Sequence, residues 1–429
     1  MEYYDIIIVG SGPAGLGAAF QLIEQKPDLK IAIIEKSKIS SGGFRNDGKQ
    51  NYTYPIGFEE KYWDKAQAEY YLDAAKLILD PDILTRANMD KYHKRIEKIE
   101  KNIRLVEVDQ AHIGTDKASA YIRALTDRLK KLGVVFLYST ELDSIDEKAK
   151  EIMCINSSDK QILHIYRYHK LVIAPGRKGI GFLQEVMDQL KIEYADYIID
   201  IGVRAEAKRE NYRIVDDYYD PKIYLPGKVR TFCTNSGYAI VKRDPTCRFS
   251  VNGEALSAEK GSNNLINFAL LKTMKLTEPI SSGREFAEII GKMILGISKG
   301  KLIMQRVGDF RCKKRSTAET FNDHDLGYDF LPTYQANPGD IALGPLKIIL
   351  PIWEAFKYLD KIVPGILHPS TVLYFPEIKM YANKPEFLDN YFQAYPDIYL
   401  IGDGAGTSRG ITGAWASGAR AADGILKSL

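Results

Sequence analysis

Cysteine is scarce and scattered: Cys154, Cys233, Cys247 and Cys312 are the whole complement, and no two form a C-x-x-C pair. That argues against a disulfide framework, a zinc site and a vicinal redox dithiol, and it suits small buried thiols in a reducing, cytoplasmic setting. Excess charge of either sign is also missing. The 59 basic and 56 acidic side chains leave a formal net charge of +3, which gives little reason to expect nucleic acid or an anionic membrane as the main partner. No apolar run is long enough for a transmembrane segment. Residues 1–5 have neither a basic n-region nor a long apolar h-region, so no signal peptide is expected. His324 and His368 stand alone, no metal spacing is visible, and no G-x-S-x-G, H-E-x-x-H or paired-carboxylate arrangement stands out. No metal is expected. Internal repeats are absent too.

What remains is an ordinary globular composition, 45% hydrophobic and 27% charged, over 429 residues. That length favours two domains.

The most informative stretch is 6–35. Ile6-Ile7-Ile8-Val9 is an apolar run of the length of a strand buried on both faces. Gly10-Ser11-Gly12-Pro13-Ala14-Gly15 follows, then a helix from Ala14 to Glu24, then a second buried strand, Leu29 to Ile34, with Glu35 at its end. Each glycine has a task. Gly10 makes the sharp turn, Gly12 admits a pyrophosphate to the backbone, and Gly15 lets helix and strand pack closely. The helix start, with Pro13 and Ala14, offers free N–H groups to phosphate. Glu35 lies roughly 20 residues beyond the last glycine, where such folds bind a ribose. The pattern indicates dinucleotide binding, without distinguishing FAD from NAD.

Residues 36–57 read as a polar loop over the carboxyl ends of the sheet, carrying Lys36, Gly42, Gly43 and Lys49. Helices are predicted over 65–79, 89–101 and 117–132, the last capped by Gly133. Strands are predicted at 134–138 and 170–174, with a hairpin of 151–155 and 162–166 between them. From about 180 to 370 aromatics and short strand-like runs dominate. A helix over 282–297, with Ser282 and Glu285 as capping box, presents Phe286, Ile289, Ile290, Met293 and Ile294 on one face. The apolar stretch 341–367 contains Pro345, Pro351 and Pro364, which divide it into short pieces; it reads as inserted-domain core or as an apolar pocket wall. A short strand at 398–401 then leads into Gly402-Asp403-Gly404-Ala405-Gly406, and a helix rich in small residues runs over 413–426. Those small residues suit close approach to a sheet or a flat ligand. The expected class is α/β, with a discontinuous domain of 1–180 and 371–429 around a parallel sheet and an inserted mixed α+β domain of 181–370.

The two glycine segments together resemble the paired fingerprints of two-dinucleotide-binding-domain flavoproteins, the FAD-dependent oxidoreductases with a glutathione-reductase-type Rossmann-like domain. Within that group, Gly43-x-x-x-Asn46-Asp47-Gly48-Lys49, Val229-Arg230-Thr231-Phe232-Cys233, Gln305-Arg306-x-Gly308-Asp309-Phe310 and Gly402-Asp403-Gly404-Ala405-Gly406-x-Ser408-Arg409-Gly410-Ile411 look like the uncharacterised NAD(FAD)-utilising dehydrogenases. The resemblance spans nearly the whole chain. It implies a soluble, cytoplasmic FAD enzyme, with Asp403 near the ribityl chain and pyrophosphate. Gly410, Ile411 and Thr412 would face the pyrimidine edge of the flavin, and Gly42 and Gly43 would lie beside the isoalloxazine. Thr140 to Leu142 would meet adenine through backbone, and Ala174 would end the neighbouring strand. Lys36 is counted with the cofactor-binding set.

A bound flavin carries the electron transfer itself, so the protein has only to position a substrate and move protons. Lys49 is the first catalytic candidate, against a solvated loop lysine; Arg409 is the second, against a surface arginine. Cys233 reads as a structural cysteine. Arg311-Cys312-Lys313-Lys314-Arg315 reads as a solvated basic loop before a phosphate site. No second G-x-G-x-x-G exists for NAD(P)H, which would have to bind transiently as donor. The expected substrate is a small, apolar organic molecule, reduced or oxidised at a carbon–carbon double bond. Alternatives are a flavin-dependent RNA-modifying enzyme, which needs tight tRNA binding at low salt, a non-enzymatic flavin-binding sensor, and an enzyme resting on a membrane surface.

Overall fold

The computed structural model describes residues 2–40, 43–99, 102–322, 330–380 and 383–429, without the side chains of Asn46 and Asp47. The chain divides into two compact units, one of Met1–Ile83, Val108–Ala195 and Ala382–Leu429, the other of Leu84–Glu107 and Asp196–Tyr381.

In the first unit Glu2–Val9 lies at the middle of a sheet. It pairs in parallel with Ile31–Glu35 on one side and Ile162–Ile173 on the other. Val135–Tyr138 extends the sheet beyond Ile31–Glu35, and Ile398–Leu400 extends it beyond Ile162–Ile173, both parallel. The alternation of the first strand divides the core. Ile6 and Ile8 pack with Leu16, Phe20, Ile122, Leu129 and Trp415 on one face; Ile7 and Val9 pack with Leu142, Leu171, Leu183 and Met187 on the other. The strand order is that of a doubly wound, Rossmann-type sheet. Successive strands run outward in opposite directions from the first, and that reversal opens a crevice at the carboxyl ends.

Ile162–Ile173 is one continuous strand where the sequence suggests two. Its first half completes an antiparallel meander with Thr140–Asp146 and Glu151–Asn156, and its second half enters the parallel sheet. The small residues of the final helix, Gly410–Lys427, also serve a partner other than the one expected. They meet the first helix, Pro13–Gln25: a Cβ on Gly418 would stand 2.0 Å from the Ala14 carbonyl oxygen, and one on Gly17 would stand 2.5 Å from that of Trp415.

The unit boundaries depart from the expected 1–180, 181–370 and 371–429. Ile180–Leu190 belongs to the first unit because Leu183, Val186, Met187 and Leu190 bury against its sheet. Val372–Met380 belongs to the second unit, where it pairs with both Ile198–Lys208 and Ile303–Arg306. Arg104–Val106 joins the same sheet beside Lys222–Leu225, which draws 84–107 into that unit.

The second unit is built on a largely antiparallel eight-stranded sheet. Leu346–Ile362 is a single helix with Pro351 inside it, not a set of short pieces. An interior proline costs roughly 3 kcal/mol, yet Ile348, Ile349, Ile352, Ala355, Phe356, Leu359 and Ile362 are all buried, and each contributes about 1.5–3 kcal/mol where a large side chain is involved. Burial wins. That buried face makes the stretch core of its own unit, while Leu343, Leu346 and Leu350 stay exposed. The helix Gly283–Ile297 is capped by Ser282, whose hydroxyl accepts from Glu285 N–H at 3.2 Å. Its buried stripe is Gly283, Ala287, Ile290, Gly291 and Ile294, while Ile289 and Met293 face outward. The ring of Phe249 occupies the space over Gly291, where a Cβ would meet its Cγ at 2.2 Å.

Candidate functional site

Three backbone turns at the ends of adjacent parallel strands converge in the first unit. In the first, Gly10 has φ +105°, and a Cβ there would lie 2.3 Å from the Ala174 carbonyl oxygen. A Cβ on Gly15 would lie 2.0 Å from the Gly10 carbonyl oxygen, so the helix start is drawn down onto the turn. Gly12 is the N-cap with no side-chain cap, and Pro13 stands at N1 without an N–H. Leu16 N–H is the first to find its helical carbonyl, that of Gly12 at 2.9 Å. Ala14 and Gly15 thus present N–H groups at the positive end of the helix.

The second turn is Ala174 to Gly176. Ala174 is buried and donates to the Val9 carbonyl at 2.8 Å. The third is the turn after Ile398–Leu400. Gly402 has φ +78°, its N–H donates to Thr407 Oγ1 at 2.8 Å, and a Cβ on it would meet Ala14 Cβ at 2.9 Å. A Cβ on Gly404 would stand 2.7 Å from the Gly176 carbonyl oxygen. The two ends of the chain therefore meet at one place.

Asp403 sits at this junction with its side chain 14% exposed. Its Oδ2 accepts from Arg177 Nε and from Gly410 N–H, both at 3.2 Å. Burial lifts its carboxyl above the usual range, against the pull of Arg177. Oδ1 is enclosed without a hydrogen-bond partner among the described residues, and so is Ser408 Oγ. Two enclosed polar atoms at the mouth of two glycine turns fit a ligand with its own polar groups. Arg177, which the sequence reading passed over, was signalled by its place just after a sheet strand.

Glu35 is buried and already holds the first turn. Its Oε2 accepts from Ser11 N–H at 3.1 Å and Ser11 Oγ at 2.5 Å, and its Oε1 accepts from Ser37 N–H at 2.8 Å. A carboxylate has about four acceptor positions, which leaves room for a further donor. Lys36 is exposed and pairs with Glu141 at 2.6 Å. Leu142 is buried in the core behind the sheet, so only its backbone could meet a ligand.

Beside Asp403 the final helix starts at Gly410, φ +75°, with Arg409 as an N-cap lacking any side-chain cap bond. Ile411 and Thr412 are buried. Thr412 Oγ1 donates to the Asn51 carbonyl at 2.5 Å, which ties the strand Lys49–Asn51 to this helix start. Lys49 is accordingly no solvated loop lysine: it is 7% exposed and lies on that strand, paired with Gln110–His112. A strand of three residues is too short to show a period in sequence. Arg409 is half-buried and donates its N–H to the Gly57 carbonyl at 2.7 Å. Gly43 caps the short helix Phe44–Asp47, with open space where a Cβ would be. Gly42 lies outside the described residues.

Cys154 and Cys247 are buried, and burial raises both thiols, Cys154 to about 12. Cys312 and the adjoining basic residues of 311–315 are exposed. Among the described residues no cluster of three or more His, Cys, Asp or Glu could hold a metal, and no helix is long and apolar enough to cross a membrane.

A family model described as the Thi4 family matches residues 1–59. An uncharacterised protein of Clostridium beijerinckii is 24% identical over 459 residues, covering 99% of this chain and 81% of that one. A thiamine thiazole synthase of Candida albicans is 59% identical over 39 residues, 9% of this chain and 11% of that one; the chain thus spans about a tenth of that relative. Among solved structures, glycine oxidase from Geobacillus kaustophilus aligns with 100% of this chain and 95% of its own at 11% identity, with a TM-score of 0.47. L-proline dehydrogenase from P. horikoshii aligns with 100% and 94% at 12% identity, again with a TM-score of 0.47.

Proposed function

We propose that the chain is an FAD-dependent oxidoreductase whose cofactor lies across the three converging turns. The observation that carries this is the contact of Gly402 with Ala14, beside an Asp403 oxygen that is enclosed and unsatisfied. A nicotinamide-only Rossmann site has no need of the second glycine turn. In this reading Ala14 and Gly15 N–H groups receive the pyrophosphate, with Gly10, Gly12 and Pro13 shaping the approach. Glu35 takes the ribose hydroxyls, and Lys36 and the backbone near Leu142 border the adenine. Asp403 Oδ1 accepts from a ribityl hydroxyl. Gly410, Ile411 and Thr412 present the helix start to the pyrimidine edge, where developing negative charge is favoured. Ala174 closes the floor of the crevice and Gly43 leaves backbone open beside the ring.

When bound, the flavin supplies two-electron transfer at N5. The chain's own part is to orient the substrate, exclude water and hold a proton. Lys49, enclosed beside the start of the final helix, is the cation suited to stabilise charge on the ring or to deliver a proton. Arg409 is suited to an anionic part of the substrate. The finer reading is reduction or formation of a carbon–carbon double bond in a small organic substrate, with NAD(P)H as transient donor. It rests on the family resemblance and on the missing second G-x-G-x-x-G. The Thi4 match ends at residue 59, so thiazole synthesis forms no part of it.

The test is anaerobic addition of NADH or NADPH to the purified protein. Bleaching of the flavin absorption is expected. Colour that persists removes the nicotinamide donor and keeps the cofactor; a colourless protein indifferent to added FAD contradicts the whole reading.

A further inference from the structure

Among the described residues, Arg420 is a buried charge without an ion-pair partner. It lies on the final helix, about 15 Å along the axis from Gly410 at 1.5 Å per residue, and is 4% exposed. Its guanidinium stands over the rings of Trp63 and Phe392, at 4.7 and 5.0 Å from their centroids, and Nη1 donates to the Tyr62 carbonyl at 2.6 Å. No carboxylate lies within ion-pair distance of it among the described residues.

The nearby acids are engaged elsewhere. Asp64 caps the helix Lys65–Leu79 at Gln67 N–H. Asp389 accepts from the N–H groups of Tyr391 and Gln393. Asp423 accepts from Gln21 and from the Tyr71 hydroxyl. Burial lowers the guanidinium pKa from its usual value, as expected of a charge that its neighbours do not fully compensate.

Arg420 also lines a groove of about 440 Å³, walled by Tyr70, Tyr71 and Tyr391 and edged by Gln67 and Asn390. That volume falls within the range of small-molecule sites, about 300–1,000 Å³. Tyr70 is 61% exposed, set edge-on to Tyr71 at 5.0 Å, so an aromatic surface is open to solvent beside a desolvated cation. Guanidinium donors are planar and match carboxylate or phosphate oxygens, while tyrosine walls favour a flat ring.

We propose that this groove binds a small flat anion, an aromatic ring bearing a carboxylate or phosphate, with its oxygens on Arg420 and its ring against Tyr70 and Tyr391. The site is separate from the dinucleotide crevice and does not depend on the cofactor reading.

The test is calorimetric titration of the full chain, saturated with added FAD, with anthranilate as the aromatic carboxylate and AMP as the nucleoside phosphate. Saturable binding of at least one probe is expected. Arg420→Gln should weaken it about tenfold, the scale of a lost charge-assisted hydrogen bond. Tyr70→Ala, at an exposed position that leaves the fold intact, should weaken it about threefold or more. Binding of anthranilate alone restricts the class to carboxylates, and binding of AMP alone restricts it to nucleoside phosphates. Binding of neither probe at millimolar concentration, or equal affinity in the wild type and both variants, overturns the proposal. A protein that ignores FAD and still binds a probe leaves this site standing while the cofactor reading fails.

Discussion

At Asp403 a single carboxylate divides its work: Oδ2 is held by Arg177 and Gly410, and Oδ1 is enclosed with no donor to accept from among the described residues. If a cofactor hydroxyl fills that gap, Asp403→Ala should weaken FAD binding about 10- to 100-fold, as expected for a hydrogen bond to a charged group worth about 1.5–3 kcal/mol. Fluorescence titration measures this, and unchanged affinity would remove Asp403 from the site. In the second unit, Lys379 holds Asp244 at 2.9 Å and Glu377 at 3.3 Å, all three side chains almost fully buried. Burial alone would raise the Asp244 carboxyl, but Lys379 and the Thr246 hydrogen bonds outweigh it and hold it below the ordinary 3.8. A depressed carboxyl contributes stability in full above its unfolded value. That contribution disappears as pH falls from 3.8 through the folded-state value. Urea midpoints should therefore drop in this acid range, and less so in Asp244→Asn. Lys379→Met leaves the buried Asp244 carboxylate without its cation, while Glu377 keeps Arg204, and should cost about 3–5 kcal/mol at neutral pH, read from the same urea curves.

Among the elements, the glycine turns, the first and last helices and the buried parallel strands were legible in sequence because each carries a local signal: an apolar run, a glycine, a cap. The elements misread lacked one or carried a misleading one. Pro351 suggested a break, but the row from Ile348 to Ile362 pays for it through burial. Lys49–Asn51 is too short for a period, and Ile289 and Met293 looked like core because apolar side chains outweigh Gly and Ala in any pattern count. Pro351→Ala restores an N–H to the Leu346–Ile362 helix. It should raise unfolding stability by up to about 3 kcal/mol; a loss of stability in denaturant would show that the proline is required by its surroundings.

At the scale of the whole molecule, the division into sheet unit and inserted unit followed from composition, but its edges did not. Whether a segment such as 84–107 or 371–381 belongs to one sheet or the other depends on strand partners far away in the chain, and a local pattern carries no record of them. The candidate site was legible for the same reason that the fold was: Gly10, Gly12, Gly15, Gly402 and Asp403 are backbone and charge requirements written into short motifs. Substrate-contacting residues have no such grammar, and Lys49 and Arg409 stay proposals. Everything rests on the two ends of the chain enclosing one flavin. The direct measurement is the stoichiometry of FAD bound by the purified or reconstituted protein, from its absorption spectrum before and after denaturation. One FAD per chain, released on unfolding and lost in Gly10→Ala, is the expected result; a protein that stays colourless in excess FAD would contradict it.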